Sequence, residues 1–370
     1  MRFVIFTHSL VSDWNHGNAH FLRGVASDLV HRGNEVRIFE PRNGWSLRNL
    51  VAEHGTEPIA GFEAAYPDIR SRFYDLAELD VALPLDGADV VLVHEWNEHD
   101  LVKRIGEFHA RNQSFRLFFH DTHHRSVTDP ESMSSYDLRH YDGVLAYGEA
   151  ISRIYRERRW AARAWTWHEA ADPCVFYPHT AEKEGDLVWI GNWGDGERRD
   201  EIREFLIRPV KELGLKAQVY GVRYPQQALE ELADAGIEYG GWLPNYRVPE
   251  IFAQYRVTVH IPRRPYATAL PGIPTIRPFE ALACGIPMVS APWCDVEGLF
   301  RPGRDFLYAS DGAEITAQLL RILSDEHLAR DLAESGIQTI RAWHTCSNRV
   351  EQLLDIISES AGMAAGEGAH

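Results

Sequence analysis

Gly272-Ile273-Pro274-Thr275-Ile276-Arg277-Pro278-Phe279-Glu280-Ala281-Leu282-Ala283-Cys284-Gly285-Ile286-Pro287 reads as a tight loop, a two-turn helix and the entrance to a strand. Gly272 and Pro274 shape the loop. Pro278 suits the first helical turn, where its missing N–H costs nothing. Gly285 suits the helix end, and Pro287 forbids continuation. Met288–Ala291 follows as a short buried strand. A loop that feeds a helix N-terminus presents unpaired N–H groups and the positive end of the helix dipole, which suit a phosphate. Two readings of Glu280 stay open, both placing it in the first turn. It is a surface acid matched to the dipole, or a carboxylate that accepts hydrogen bonds from sugar hydroxyls beside the phosphate.

Outward from this unit the chain alternates short apolar strands with amphipathic helices. Strands are expected at residues 2–6, 35–40, 90–94, 115–119, 143–146 and 164–167, with a helix over 19–32. A proline-punctuated break, Asp172-Pro173-Cys174-Val175-Phe176-Tyr177-Pro178, interrupts the rhythm. It restarts with strands at 187–190, 217–220, 238–240 and 257–261, and with helices at 200–213, 249–254, 315–323, 327–335 and 347–358. This is the pattern of two doubly wound parallel α/β sheets in series. The expected division is 1–172, 173–345 and a terminal helix with an unstructured tail over 346–370. Ligands of such sheets belong at the carboxyl ends of the strands.

Composition narrows the function classes. A chain of 370 residues, 45% of them apolar, can build two ordinary cores. A formal net charge of −16 excludes a general nucleic-acid binder, which needs a basic face. The four cysteines are widely spaced without a CxxC pair, which fits a reducing cytoplasm rather than a disulfide scaffold. No run approaches the roughly 18 apolar residues that would span a bilayer. Among eleven tryptophans, Trp193, Trp242 and Trp293 fall in loop-like contexts where a ring could stack on a base or sugar.

Four stretches carry candidate chemistry. The first strand-to-helix loop runs from Thr7 to His20 and holds Gly17-Asn18 ahead of the helix. It lacks the GxGxxG fingerprint, so no dinucleotide cofactor is expected. Phe119-His120-Asp121-Thr122-His123-His124-Arg125 ends an apolar strand. Its neighbours point in different directions and no HExxH-type spacing occurs, so no metal is expected there. A histidine bonded to a substrate hydroxyl, with Asp121 setting its orientation, is the expected role. His94-Glu95-Trp96-Asn97 ends another strand, as an acceptor contact or a helix cap. Gly191-Asn192-Trp193-Gly194-Asp195-Gly196-Glu197-Arg198-Arg199 places two arginines at a helix start, where they oppose the dipole unless an anion is held there. Arg263, Arg264 and Arg277 add positive charge near the Glu280 loop.

With these residues on the page, the chain resembles GT-B glycosyltransferases of the family 4 (glycosyl transferases group 1) superfamily, and most of all their CgeB-like, spore-maturation-protein branch. Ile276–Pro287 carries the resemblance. Asp172, Phe176 and Pro178, Val188-Trp189-Ile190-Gly191 with Arg198-Arg199, and His344-Thr345 with Arg349 support it. The resemblance implies two Rossmann-like domains facing a central cleft, with the C-terminal helix packing back on the first. It implies a nucleotide-diphosphate sugar bound mainly by the second domain, through Gly272, Ile273, Pro274, Thr275, Ile276, Arg277, Glu280, Gly191 and Trp242. Glu280 matches the glutamate that holds the ribose, and Gly272 stands where the first motif glutamate would be. Arg198 or Arg199 matches the base that offsets the leaving diphosphate, and His120 the histidine near the reaction centre, with Asp121 beside it. Gly17, Asn18, His20 and His94 fall on the acceptor or sugar side. The implied reaction is a metal-independent, retaining transfer without a cofactor. The acceptor stays open among glycan, lipid, protein and small molecule. A nucleotide-sugar 2-epimerase shares the architecture but needs several cleft carboxylates, where only Glu280 and Asp121 can be assigned. A non-catalytic sugar-nucleotide-binding protein is the reading that Gly272 motivates.

Overall fold

A computed structural model describes residues 1–194 and 196–367, with side chains to Ala361. It divides into two compact units, Met1–Glu169 with the chain from Cys346, and Ala170–Thr345.

The first unit holds a seven-stranded sheet in the order β3-β2-β1-β4-β5-β6-β7. Its strands are β1 (Arg2–Phe6), β2 (Glu35–Pro41), β3 (Ser71–Tyr74), β4 (Val90–His94), β5 (Arg116–Asp121), β6 (Gly143–Ala146) and β7 (Ala164–Thr166). Every pairing is parallel. All five residues of β4 are buried, as a strand covered on both faces requires. Strand order reverses between β1 and β4, which opens a crevice at their carboxyl ends.

The second unit repeats the plan with six strands in the order β10-β9-β8-β11-β12-β13. They are β8 (Gly185–Ile190), β9 (Ala217–Tyr220), β10 (Ile237–Tyr239), β11 (Tyr255–His260), β12 (Met288–Ser290) and β13 (Leu307–Tyr308). Leu187 and Trp189 pack into the core on one face of the sheet, and Val188 and Ile190 into the core on the other. That alternation is the two-residue strand period with both faces buried. The reversal lies between β8 and β11.

Four expectations are corrected. β3 and β13 are strands that periodicity missed, one edge and partly exposed, the other two residues long. The helix expected to stop at Ser335 runs from Glu326 to Trp343. Gly336 lies inside it because a Cβ there would stand 2.8 Å from Leu282 Cδ2, so the glycine admits close packing against Ile276–Cys284. The 200–213 helix contains a π-turn, Arg203–Ile207, just before Pro209, which has no N–H to donate. The tail expected to be unstructured from Ala361 continues as helix to Glu367, its alanines favouring that state. Residues 368–370 and Asp195 lie outside the described residues.

The terminal helix Cys346–Glu367 docks on the first unit. Arg32 Nη2 donates to Ser347 Oγ at 2.7 Å, Trp167 Nε1 to the Arg349 carbonyl at 2.8 Å, and Arg349 Nε to the His168 carbonyl at 2.9 Å.

Candidate functional site

The second unit builds its candidate site where the Gly272–Thr275 loop enters the helix Ile276–Cys284, beside the ends of β8, β11 and β12. The helix begins at Ile276 because Thr275 takes φ 63° and ψ 179°. That region is nearly glycine-only, and a β-branched residue there stores about 1–3 kcal/mol of strain. Pro278 stays within the first turn, as expected. Glu280 falls in the second turn, which corrects its expected place in the first. It is also 0% exposed, which overturns the surface-acid reading. Its carboxylate accepts from Asn245 Nδ2 at 2.7 Å and pairs with Arg277. A buried carboxylate needs such partners to stay ionised.

Gly272 has φ 92° and donates its N–H to the Cys294 carbonyl at 2.7 Å. A Cβ at Gly272 would stand 2.6 Å from Glu297 Oε1, so the Glu297 side chain fills the space beside this position. Ile273 and Pro274 are buried and Thr275 is half-buried.

The structure separates the two arginines that the sequence could not. Arg199 is exposed, with Nε 3.7 Å from Asp200 Oδ1. Arg198 turns inward. Its Nε and Nη2 donate to the Asn192 carbonyl at 3.1 and 2.5 Å, and its Nη1 to the Ile261 carbonyl at 3.2 Å. The guanidinium carbon lies 5.1 Å from the centre of a Trp189 ring. Gly191 permits this, since a Cβ there would meet the Trp189 ring at 2.7 Å. Among the described residues no carboxylate forms an ion pair with Arg198. Burial, and then the like charges of Arg263 and Arg277, push its pKa down to about 9. By contrast Arg263 pairs with Glu197 at 3.0 Å, and Arg264 with Glu201 at 2.9 Å.

His260, at the end of β11, is a residue that the sequence reading missed. Its Nδ1 shares a 2.9 Å hydrogen bond with Ser290 Oγ at the end of β12. Burial first, then Arg198, lower its pKa to about 3, while the Pro274 backbone acts the other way. His260 therefore sits near both the Arg198 guanidinium and the Pro274 backbone at one strand end. Asn245 was also missed. Position after a strand was the available signal for both. Trp193 and Trp293 are 5% and 7% exposed and belong to the cores, whereas Trp242 is half-buried in the loop after β10.

In the first unit, His94 and His120 close β4 and β5 side by side. His20 is buried in the helix Ala19–His31, Gly17 is exposed, and Asn18 Nδ2 reaches the Thr122 carbonyl at 3.1 Å. Buried Arg23 holds the first loop in place by bonds to Asp13 and to the carbonyls of Leu10 and Val11. Asp121 is buried at the end of β5. It accepts from Tyr155 Oη at 2.9 Å and from the His123 N–H at 3.1 Å, and lies against the carboxyl of Glu95. Burial raises Asp121 to about 6, and burial plus Asp121 raise Glu95 well above the usual carboxylate range. Thr122 Oγ1, at 3.0 Å from Nε2, is what fixes His94. Among the described residues no group of three or more His, Cys, Asp or Glu is placed to hold a metal ion.

Comparison with known proteins bears on the fold. A family model described as glycosyl transferase-like matches residues 198–355, less than half of the chain. No curated protein sequence matches. Among solved structures, sucrose-phosphate synthase from Thermosynechococcus elongatus aligns at TM-score 0.64 and 14% identity, over 98% of this chain and 100% of that one. The Anabaena protein HepE in complex with UDP and glucose aligns at 0.68 and 13%, over 97% and 99%. A glycosyltransferase from Rickettsia africae aligns at 0.67 and 11%, over 97% and 98%. The fold is thus the two-sheet architecture of GT-B glycosyltransferase structures.

Proposed function

We propose that the protein is a glycosyltransferase that moves a hexosyl group from a nucleotide-diphosphate donor to an acceptor hydroxyl. The observation that carries the reading is Arg198. A half-buried guanidinium that among the described residues is bonded to carbonyls and lies over Trp189, among further arginines and beside a helix N-terminus, is an arrangement that an anion completes. A leaving diphosphate supplies that anion, and its charge grows as the glycosidic bond breaks. Fixed donors aimed at developing charge lower the barrier without reorganising. The N–H groups at Ile276 and Arg277 would share this task, Glu280 with Asn245 would receive the ribose hydroxyls, and Trp242 would flank the base. His120 would contact the transferred sugar. The family model over 198–355 and the neighbour solved with UDP and glucose support the same reading.

The finer features follow the resemblance: retention of anomeric configuration, positive charge supplied by arginines rather than a metal, a CgeB-like specificity and a cytoplasmic location. The epimerase alternative draws little from the structure. Glu95 and Asp121 are both fully buried, bonded to their own unit rather than presented to a ligand.

The test is a thermal-shift and calorimetric screen of UDP-, GDP- and dTDP-sugars. A cognate donor should raise the melting temperature by mass action. Arg198→Ala should weaken that donor about 10–100-fold, the worth of losing charge-assisted bonds, while Arg199→Ala should stay within about twofold. Equal loss in both variants, or none in either, would sink the assignment. Incubation of the donor without acceptor discriminates further, because interconversion of sugars would mark an epimerase.

A further inference from the structure

The sheet of the first unit ends differently on its two sides. At β7 the Trp165 Nε1 donates to Glu359 Oε2 of the terminal helix at 3.3 Å. At the other edge, β3 pairs with β2 alone among the described residues. The Arg42 N–H donates to the Tyr74 carbonyl at 2.8 Å, so Arg72 and Tyr74 turn their backbone groups toward β2. By the alternation of a strand, Ser71 and Phe73 turn theirs outward. A row of outward N–H and C=O groups is a template for another strand, and edges are commonly blunted by lysine, proline or a bulge. Ser71-Arg72-Phe73-Tyr74 has neither lysine nor proline, and Phe73 stays 36% exposed. Beside it lies an open groove of about 380 Å³ with Phe39, Phe73 and Leu83 in its walls, and Leu83 is 75% exposed.

Charge indicates what covers this edge. Arg70 and Arg72 stand at the start of the strand, and Asp75, Glu78 and Asp80 follow its end. All five are exposed, and among the described residues none of them forms an ion pair. Asp75 and Asp80 accept from the N–H groups of Ala77 and Ala82 at 3.2 and 3.0 Å, and the Arg70 guanidinium donates to the Ile69 carbonyl at 3.2 Å. Arg104 fixes the acidic segment by donating to the carbonyls of Leu76 and Leu79. The two signs thus sit at opposite ends of one strand. An antiparallel neighbour runs the other way. A second copy of the chain, related by a two-fold axis at Phe73, would exchange both backbone bonds of that residue. The same axis brings the basic start of each strand against the acidic end of the other. A partner strand of one sign would meet like charge at one end. The net charge of −16 repels copies wherever their surfaces are not so matched.

We propose that β3 is a self-pairing edge, through which two copies of the chain join their first-unit sheets antiparallel across Ser71–Tyr74 and cover Phe73 and Leu83. Sedimentation velocity on the full chain over about 1 to 100 μM, the range of a small interface, should show a monomer–dimer equilibrium. Hydrogen exchange on the same samples should show the amides of residues 71–74 gaining protection as concentration rises. Phe73→Lys and Arg72→Glu should each weaken the dimer at least about tenfold. Arg72→Glu combined with Asp75→Arg reverses both ends and should restore affinity to within about threefold, which a loss of folding could not do. These exposed positions lie two strands from the switch point, so the nucleotide-sugar thermal shift should be unchanged in every variant. A monomer throughout the range overturns the proposal, as does a dimer whose 71–74 amides exchange as in the monomer. A dimer that survives Phe73→Lys and Arg72→Glu lies elsewhere on the molecule and also overturns it. A double reversal as weak as Arg72→Glu alone overturns the charge matching that selects a second copy.

Discussion

The ends of β1, β4 and β5 in the first unit carry His8, His94 and His120, neutral and, among the described residues, without a carboxylate bonded to them. The corresponding ends of β8, β11 and β12 in the second unit carry Gly191, His260 and Ser290, set among Arg198, Arg263 and Arg277. The strand topology and the reversal of order are the same in both. What differs is which side chains the loops deliver to the switch point. One loop uses a glycine so that an arginine can lie over Trp189. The other uses a buried arginine, Arg23, to hold a histidine-bearing loop against its own carbonyls. Duplicated scaffold and divergent loops let one chain offer a cationic surface and an uncharged polar one.

The sharpest way to break this contrast is to remove the charge from the second unit. Arg198→Met keeps the stem over Trp189 and deletes the guanidinium. Donor affinity should fall about 10–100-fold. The melting temperature should hold or rise, because a half-buried cation with no counter-ion among the described residues opposes folding. Calorimetry and a thermal melt on the same sample check both, and a large drop in stability would mean that Arg198 is structural.

The next effect is acid sensitivity of the first unit. Its histidines have folded pKa values below the unfolded value of about 6.5. The unfolded chain therefore binds more protons as pH falls from about 6.5 toward 3, and each such histidine should cost about 1.4 kcal/mol per pH unit in that window. Asp121, raised to about 6, and Glu95 and Glu40, also raised by burial, act with the opposite sign, because the folded state binds their extra protons on acidification. His8, His16, His94 and His120 outnumber these three carboxyls, so urea midpoints should fall on acidification below about pH 6.5. His94→Gln should flatten the slope, and a midpoint that rises on acidification would contradict the neutral cluster. Glu95→Gln mimics the protonated carboxyl and should change stability by only about 1 kcal/mol at pH 7, while Glu95→Ala leaves Asp121 buried without that neighbour and should cost more.

Strands buried on both faces were legible because their apolar runs are bounded by Gly, Pro and Asp, as at Val90–His94. The loop and helix around Glu280 were legible because glycine and proline punctuate them. The sequence did not show that Glu280 is buried, since its partners Asn245 and Arg277 are 35 and 3 residues away and only the first depends on the fold. Nor could it choose between Arg198 and Arg199. They are adjacent at a helix start, and the choice is made by a carbonyl 63 residues away at Ile261. His8 and His260 were passed over because single histidines carry no spacing signal. Only the parallel register brings strand ends together.

The smallest effect expected lies at Thr275. A threonine at φ 63° is kept where glycine would be free of strain. Thr275→Gly should relieve part of the native strain of about 1–3 kcal/mol, offset by the greater entropy of glycine in the unfolded chain. Stability should thus change little. If the strained peptide pre-sets the N–H groups of Ile276 and Arg277 toward an anion, donor affinity should fall a few-fold as the loop gains freedom. Affinity lost without a change in melting temperature would place the strain at the ligand, in the cationic unit alone. Stability gained with affinity unchanged would show that Thr275 serves only to start the helix, and that the contrast between the two strand ends rests on side-chain charge.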